Sequence, residues 1–290
     1  MTKFVVGVDP SPESREALEW ALEQAGPGDE IVAVHAWDVP LVTGYEVAVA
    51  IDPTEIRDAS GAFLGDLVSS LSDVRVTSLL AQGHPGRSLV EVADDADIVV
   101  VGHRGSGKAS VILGSTANYV LHHTDKPVVV VRGSRNAAAR QVVVGVDDHG
   151  LNDRDGGDAG AGDENPSVRA LRAAYALNGV EWIDVVHAWF APGVAAGVYV
   201  GAGPDMDEMD RSAIEVAERV IAAAGPPPEG VGVRPRPERG TAGFAMIEAS
   251  RDADLIVVGS RGRGGFVGLL LGSTSLESAA HSHSPVMIVR

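Results

Sequence analysis

The sequence predicts an α/β fold made twice over: two tandem doubly wound domains, each with a mainly parallel five-stranded sheet. Three observations carry this. The apolar runs are short, continuous and rich in Val and Ile, as in strands covered by helices on both faces. They alternate with helix-like segments, the order that gives right-handed crossovers and an open sheet. And the 290-residue chain repeats itself once, over half its length.

Each element follows in order. In copy one, strands are expected over 3–9, 30–36, 73–80, 97–102 and 127–132. Between the first two lies "ESREALEWALEQA" (13–25), with apolar residues at 17, 18, 21, 22 and 25, one face of a helix. Residues 55–71 and 86–95 give two further helices, and a fourth follows Gly114. Copy two restates the plan. "FVVGVDPSPESREAL" (4–18) returns as "VVVGVDDHG…NPSVRAL" (142–171), and "VAVHAW" (32–37) as "DVVHAW" (184–189). "DDADIVVVG" (94–102) returns as "RDADLIVVG" (251–259), and "PVVVVR" (127–132) as "PVMIVR" (285–290). Asp147 lies 138 residues beyond Asp9, and Pro285 lies 158 beyond Pro127, so the order is kept while insertions accumulate. The small-residue stretch "GSRNAAAR" (133–140) marks the boundary, giving domains at 1–136 and 137–290. An acidic, Gly-rich insertion (148–164) follows the first strand of copy two and reads as a flexible loop. Its spacing does not match an EF-hand loop, so no metal site is predicted.

Composition narrows the function classes. With no cysteine, neither a disulfide framework nor a thiolate metal site can form. A net charge of −17 opposes generic nucleic-acid binding and attraction to an anionic membrane. No apolar run approaches the ~18 residues of a membrane span. "MTKFVVGVDP" enters a strand directly, without a secretory leader pattern, so a cytoplasmic location is expected.

In an open α/β sheet, ligands sit beyond the carboxyl ends of the strands, where strand order reverses. Three repeated features fall at strand ends: Asp9/Asp147, the HAW triplet and a Gly-rich loop. In copy two that loop holds Gly259, Gly262, Gly264 and Gly265, then Gly272-Ser273-Thr274. Glycines let successive N–H groups approach an anion, and a helix start adds free donors and a favourable dipole. Phosphate is the expected ligand there. "GHRGSGKAS" (102–110) nearly spells a P-loop, but Ala109 stands where a magnesium-binding hydroxyl belongs. Lys108 is left as a point charge within reach of a phosphate. No nucleophile, base and orienter can be assembled, so no catalytic residue is assigned, and slow ATP hydrolysis is the most that is expected.

The spacing G-x2-G-x9-G-[ST], at Gly259, Gly262, Gly272 and Ser273, makes the resemblance specific. Over nearly its whole length the chain resembles a tandem universal stress protein, with a fold like that of the adenine nucleotide alpha hydrolases. The resemblance implies binding of ATP, with or without Mg2+. It places Asp147 and the backbone near Ala188 at adenine and ribose, and Gly259, Arg261, Gly262, Gly272, Ser273 and Thr274 at ribose and phosphates. The copy-one set is Asp9, Ala36, Gly102, Arg104, Gly105, Gly114, Ser115 and Thr116. Copy one has eight residues, not nine, between Gly105 and Gly114, a shortening expected to tilt the helix start. Copy two is therefore the favoured site. The resemblance also implies a nucleotide-dependent sensor in stress response. It implies pairing through the last strands, either copy against copy as a pseudo-dimer or between chains as a homodimer. The alternative is a nucleotide-free interaction scaffold of the same fold.

Overall fold

The computed structural model describes residues 1–39, 52–71, 75–106, 113–133, 139–147, 164–191, 205–260 and 271–290. The chain divides into two compact units, Met1–Ser134 and Arg135–Arg290.

Unit 1 runs β1 (Lys3–Gly7), α1 (Pro12–Gln24), β2 (Glu30–Trp37), α2 (Pro53–Leu71), β3 (Val76–Gln82), α3 (Pro85–Val92), β4 (Ile98–Gly102), α4 (Ser115–His123) and β5 (Val128–Val131). Its strands lie in the order β3-β2-β1-β4-β5, all parallel. Unit 2 repeats this with β6 (Gln141–Gly145), α5 (Pro166–Tyr175), β7 (Trp182–Trp189), α6 (Met206–Ala224), β8 (Gly232–Arg239), α7 (Ala242–Ala249), β9 (Leu255–Gly259), α8 (Ser273–His281) and β10 (Val286–Val289). Its order is β8-β7-β6-β9-β10, again parallel.

The central strands are the core. Val5, Val6, Val99 and Val100 are fully buried in unit 1, as are Val142, Val144, Ile256 and Val257 in unit 2. Each such side chain contributes roughly 1.5–3 kcal/mol. Pro12, Pro53, Pro85 and Pro166 each open a helix, where a missing N–H costs nothing. Arginines close two helix ends from a distance. Arg75 donates to the Ala25 carbonyl at 2.6 Å beyond α1, and Arg172 to the Ala224 carbonyl at 3.1 Å at the end of α6.

Some boundaries differ from expectation. β1 stops at Gly7 because the Val8 carbonyl leaves the ladder for a side chain. The helix expected over 86–95 is α3 followed by a 3-10 turn, Ala93–Asp95. The end strand β8 carries Pro235 and Pro237. Gly232 and Gly240 donate inward to the Glu181 and Trp189 carbonyls, so even-numbered residues face β7 and the proline nitrogens face outward. No ladder bond is lost to them. Among the described residues no helix is long and apolar enough to cross a membrane.

Candidate functional site

In unit 1 the strand order reverses between β1 and β4, which are parallel neighbours with Phe4 opposite Ile98 and Val6 opposite Val100. Asp9 follows the first and Gly102 ends the second, so both open onto one crevice. A cavity of about 830 Å³ lies there, within the range of small-molecule sites. Its lining includes Asp9, Ala36, Gly102, Arg104, Gly105, Gly114, Ser115 and Thr116, which the structure brings together from four separate chain segments. Lys108 lies outside the described residues.

The β1–α1 turn is built by serines. Ser11 caps α1, accepting from the Ser14 amide. Ser14 Oγ accepts from Asp9 N–H at 3.0 Å and donates to the Asp9 carbonyl at 2.6 Å. Asp9 Oδ1 accepts from the Ser11 amide at 3.0 Å and from the Ser11 hydroxyl, and Oδ2 from the Ser106 amide at 2.8 Å. Burial pushes the Asp9 carboxyl up, but these hydrogen bonds outweigh it and hold the group below its ordinary value.

The HAW triplet shapes the opposite wall. His35 Nδ1 donates to the Val8 carbonyl at 2.8 Å, and His187 Nδ1 to the Val146 carbonyl at 2.9 Å. Both repeated histidines are thus structural ties. Val34 O accepts from Val8 N–H at 2.9 Å, and alternate residues of a parallel strand face the same neighbour. Ala36 therefore turns its peptide groups toward the β1 side, past the end of β1, at the cavity. In unit 2, Val186 O accepts from Val146 N–H at 2.9 Å, which gives Ala188 the same aspect.

The loop after β4 is anchored at both ends. His103 N–H donates to the Val131 carbonyl at 2.9 Å, and Gly114 N–H to the His103 carbonyl at 2.8 Å. A β-carbon on Gly102 would stand 2.8 Å from the Glu13 carbonyl oxygen, so this strand end needs glycine. Burial lowers the His103 imidazole below its ordinary value, Arg132 and Arg104 push the same way, and Glu13 opposes them. In unit 2, Ser260 N–H donates to the Val289 carbonyl at 2.6 Å and Gly272 N–H to the Ser260 carbonyl at 2.7 Å. The helix starts are thus tied identically in both copies. The shorter loop of copy one keeps the same anchoring partners, because the difference in length falls between the anchors.

Gly114 and Gly272 are the N-caps of α4 and α8, both extended, and neither helix has a side-chain cap bond. By contrast Ser11, Asn165, Asp205 and Thr241 cap α1, α5, α6 and α7 through side-chain oxygens. The two helices that begin with Ser-Thr share with α3, whose N-cap is His84, the lack of a side-chain cap bond among the described residues.

Unit 2 sets Asp147 after β6, Ala188 in β7, Gly259 at the end of β9, and Gly272, Ser273 and Thr274 at the start of α8. Gly145 of β6 stands opposite Val258 of β9, so this reversal point repeats that of unit 1. Arg261 and Gly262 lie outside the described residues, as does the insertion up to residue 163.

A family model described as the universal stress protein family matches residues 1–132 and 161–290. The chain belongs to the universal stress protein family. Similar universal stress proteins include one of Mycolicibacterium smegmatis, 31% identical over 99% of this chain and 96% of its own length. Another, of Mycobacterium tuberculosis, is 30% identical over 99% of this chain and 96% of its own. The crystal structure of a universal stress protein from Archaeoglobus fulgidus matches 100% of this chain and 96% of its own, with a TM-score of 0.65 at 21% identity. That likeness is one of fold.

One wall of this universal stress protein's cavity escapes sequence reading. Pro85 and Leu89 of α3 line it, together with Val8. The signal lay in a repeated glycine. A β-carbon on Gly7 would stand 2.7 Å from Leu89 Cδ1, and one on Gly145 would stand 2.8 Å from Met246 Sδ. The glycine of each "GVD" lets the helix between the third and fourth strands of its unit, α3 or α7, press onto the strand end.

Proposed function

We propose that this universal stress protein binds an adenine nucleotide, specifically ATP, with or without Mg2+, in the unit 1 cavity and in the matching crevice of unit 2. The observation that carries this reading is the uncapped start of α4 inside a cavity of about 830 Å³. Open N–H groups, the helix dipole and the Ser115 and Thr116 hydroxyls suit phosphate, and Arg104 adds a positive charge on the same wall. The peptide groups of Ala36 offer a donor and an acceptor to the edge of a base. Leu89 and Val8 offer that base an apolar wall. Gly259, Gly272, Ser273 and Thr274 supply the same kit in unit 2, with Asp147 and Ala188 at the nucleoside end. Occupancy then tunes contacts with protein partners in a stress response.

The test is calorimetric titration of the nucleotide-stripped protein with ATP and magnesium, beside Gly114→Glu and Gly272→Glu variants. A carboxylate at either helix start obstructs a phosphate there. Two sites in the parent, each lost with its own variant, is the expected result. A single site lost only with Gly114→Glu confines binding to unit 1. No binding by the parent overturns the reading in favour of a nucleotide-free scaffold.

A further inference from the structure

Resting on that nucleotide reading, we infer that Asp210 is a positioning residue of the unit 2 site: by fastening the Trp189 indole it presets the peptide groups of Ala188 for the edge of a base, a fastening that unit 1 lacks. Trp189 is buried at the end of β7, and its Nε1 donates to Asp210 Oδ1 of α6 at 2.8 Å. Arg239 ends β8 directly opposite Trp189. It donates to Asp210 Oδ2 at 2.5 Å and lies over the indole, its Cζ 5.8 Å from the ring centre. The Arg239 hydrogen bond is the main reason that the Asp210 carboxyl lies below its ordinary value; slight burial opposes it, and the Trp189 bond adds to it. One ionised carboxylate therefore joins the ends of two neighbouring strands to a helix.

Ala188 lies between two fastened side chains. His187 Nδ1 is tied to the Val146 carbonyl at 2.9 Å, and Trp189 is tied to Asp210. The Trp189 carbonyl also accepts from Gly240 N–H at 2.9 Å. A peptide held in place before its ligand arrives has less freedom to lose on binding. Unit 1 repeats the other ties: His35 bonds the Val8 carbonyl, and Gly83 N–H donates to the Trp37 carbonyl at 2.8 Å. It does not repeat this one. Arg57 is the fifth residue of α2, as Asp210 is of α6, and Gln82 stands opposite Trp37 where Arg239 stands opposite Trp189. A guanidinium has no acceptor, so Arg57 cannot take an indole N–H.

Asp210→Ala and Asp210→Asn test this, the second keeping an oxygen for the indole. Amide NMR titrations with adenosine and with inorganic triphosphate follow Ala188 and Gly272 in unit 2, and Ala36 and Gly114 in unit 1. Asp210→Ala is expected to weaken adenosine at Ala188 roughly three- to tenfold, the cost of ordering one strand end on binding. Adenosine at Ala36 and triphosphate at Gly272 should stay within about twofold, and Asp210→Asn should restore most of the loss at Ala188. Unchanged adenosine affinity at Ala188 overturns the inference. Equal losses of adenosine and triphosphate in unit 2 overturn it too, reducing Asp210 to general support of the fold, as does an Asn variant no better than Ala. A parent that binds adenosine at neither amide sinks the nucleotide reading and this inference with it. If Asp210→Ala does not fold, Trp189→Phe removes the indole donor and keeps a ring; the same selective loss at Ala188 is expected, and its absence overturns the inference.

Discussion

Ser167 Oγ accepts from the Asp147 N–H at 2.9 Å and donates to the Asp147 carbonyl at 3.0 Å, the same double tie that Ser14 makes to Asp9. In unit 1 the tied residues are five apart; in unit 2 they are twenty apart. The acidic insertion enters between two points that stay fastened. Two doublings of loop length cost only about 1.2 kcal/mol in closure entropy, an amount two hydrogen bonds can offset.

Ser167→Ala should therefore destabilise the protein by about 1–2 kcal/mol, leaving an amide and a carbonyl without their partner. Urea denaturation checks this. A midpoint equal to the parent's would show that the tie contributes nothing.

The His103 imidazole gives a pH dependence with a definite sign. Its folded pKa lies below the ordinary 6.5, so the unfolded chain takes up the proton first. The contribution of neutral His103 is full above about 6.5 and is lost as pH falls from there toward the folded value. His103→Ser, the residue unit 2 carries as Ser260, should flatten the fall in urea midpoint between about pH 7.5 and 5.5. An identical slope in both proteins would refute this.

Asp184 is 1% exposed and accepts from Arg234 at 2.5 Å and Arg236 at 3.4 Å. Removing both arginines leaves a buried carboxylate unpaired, and Arg234→Ala/Arg236→Ala should cost about 3–5 kcal/mol. Asp184→Val, matching Val32 of copy one, should be nearly neutral, because no unpaired buried charge is left. Thermal unfolding of the two variants separates these outcomes.

Ser278 is fully buried, and its hydroxyl has no hydrogen-bond partner among the described residues. Val120 holds the equivalent place in α4. Ser278→Ala should raise stability by about 1 kcal/mol. A lower melting temperature would mean the hydroxyl is satisfied in solution.

Most of what positions the site was legible because it was written twice. Asp9 and Asp147, the HAW triplets and the Gly-Ser-Thr helix starts could be aligned against each other, and strand ends are where such a fold places ligands. What stayed illegible depends on geometry across long separations. No local pattern announces that Asp9 reaches Ser106, that Asp184 finds two arginines on β8, or that Leu89 walls the cavity. Nor does loop length reveal that Gly114 and Gly272 hang from equivalent carbonyls.

The outward prolines of β8 bear on solution behaviour. An end strand invites another strand by presenting alternating donors and acceptors, and Pro235 and Pro237 delete two consecutive outward donors without weakening the sheet they belong to. Unit 2 carries a built-in guard against edge-to-edge growth, placed where the guard interrupts nothing inward. Restoring those donors with Pro235→Thr/Pro237→Thr should increase light scattering on storage while leaving the fold intact, which would make aggregation resistance a property of two imino acids rather than of net charge alone.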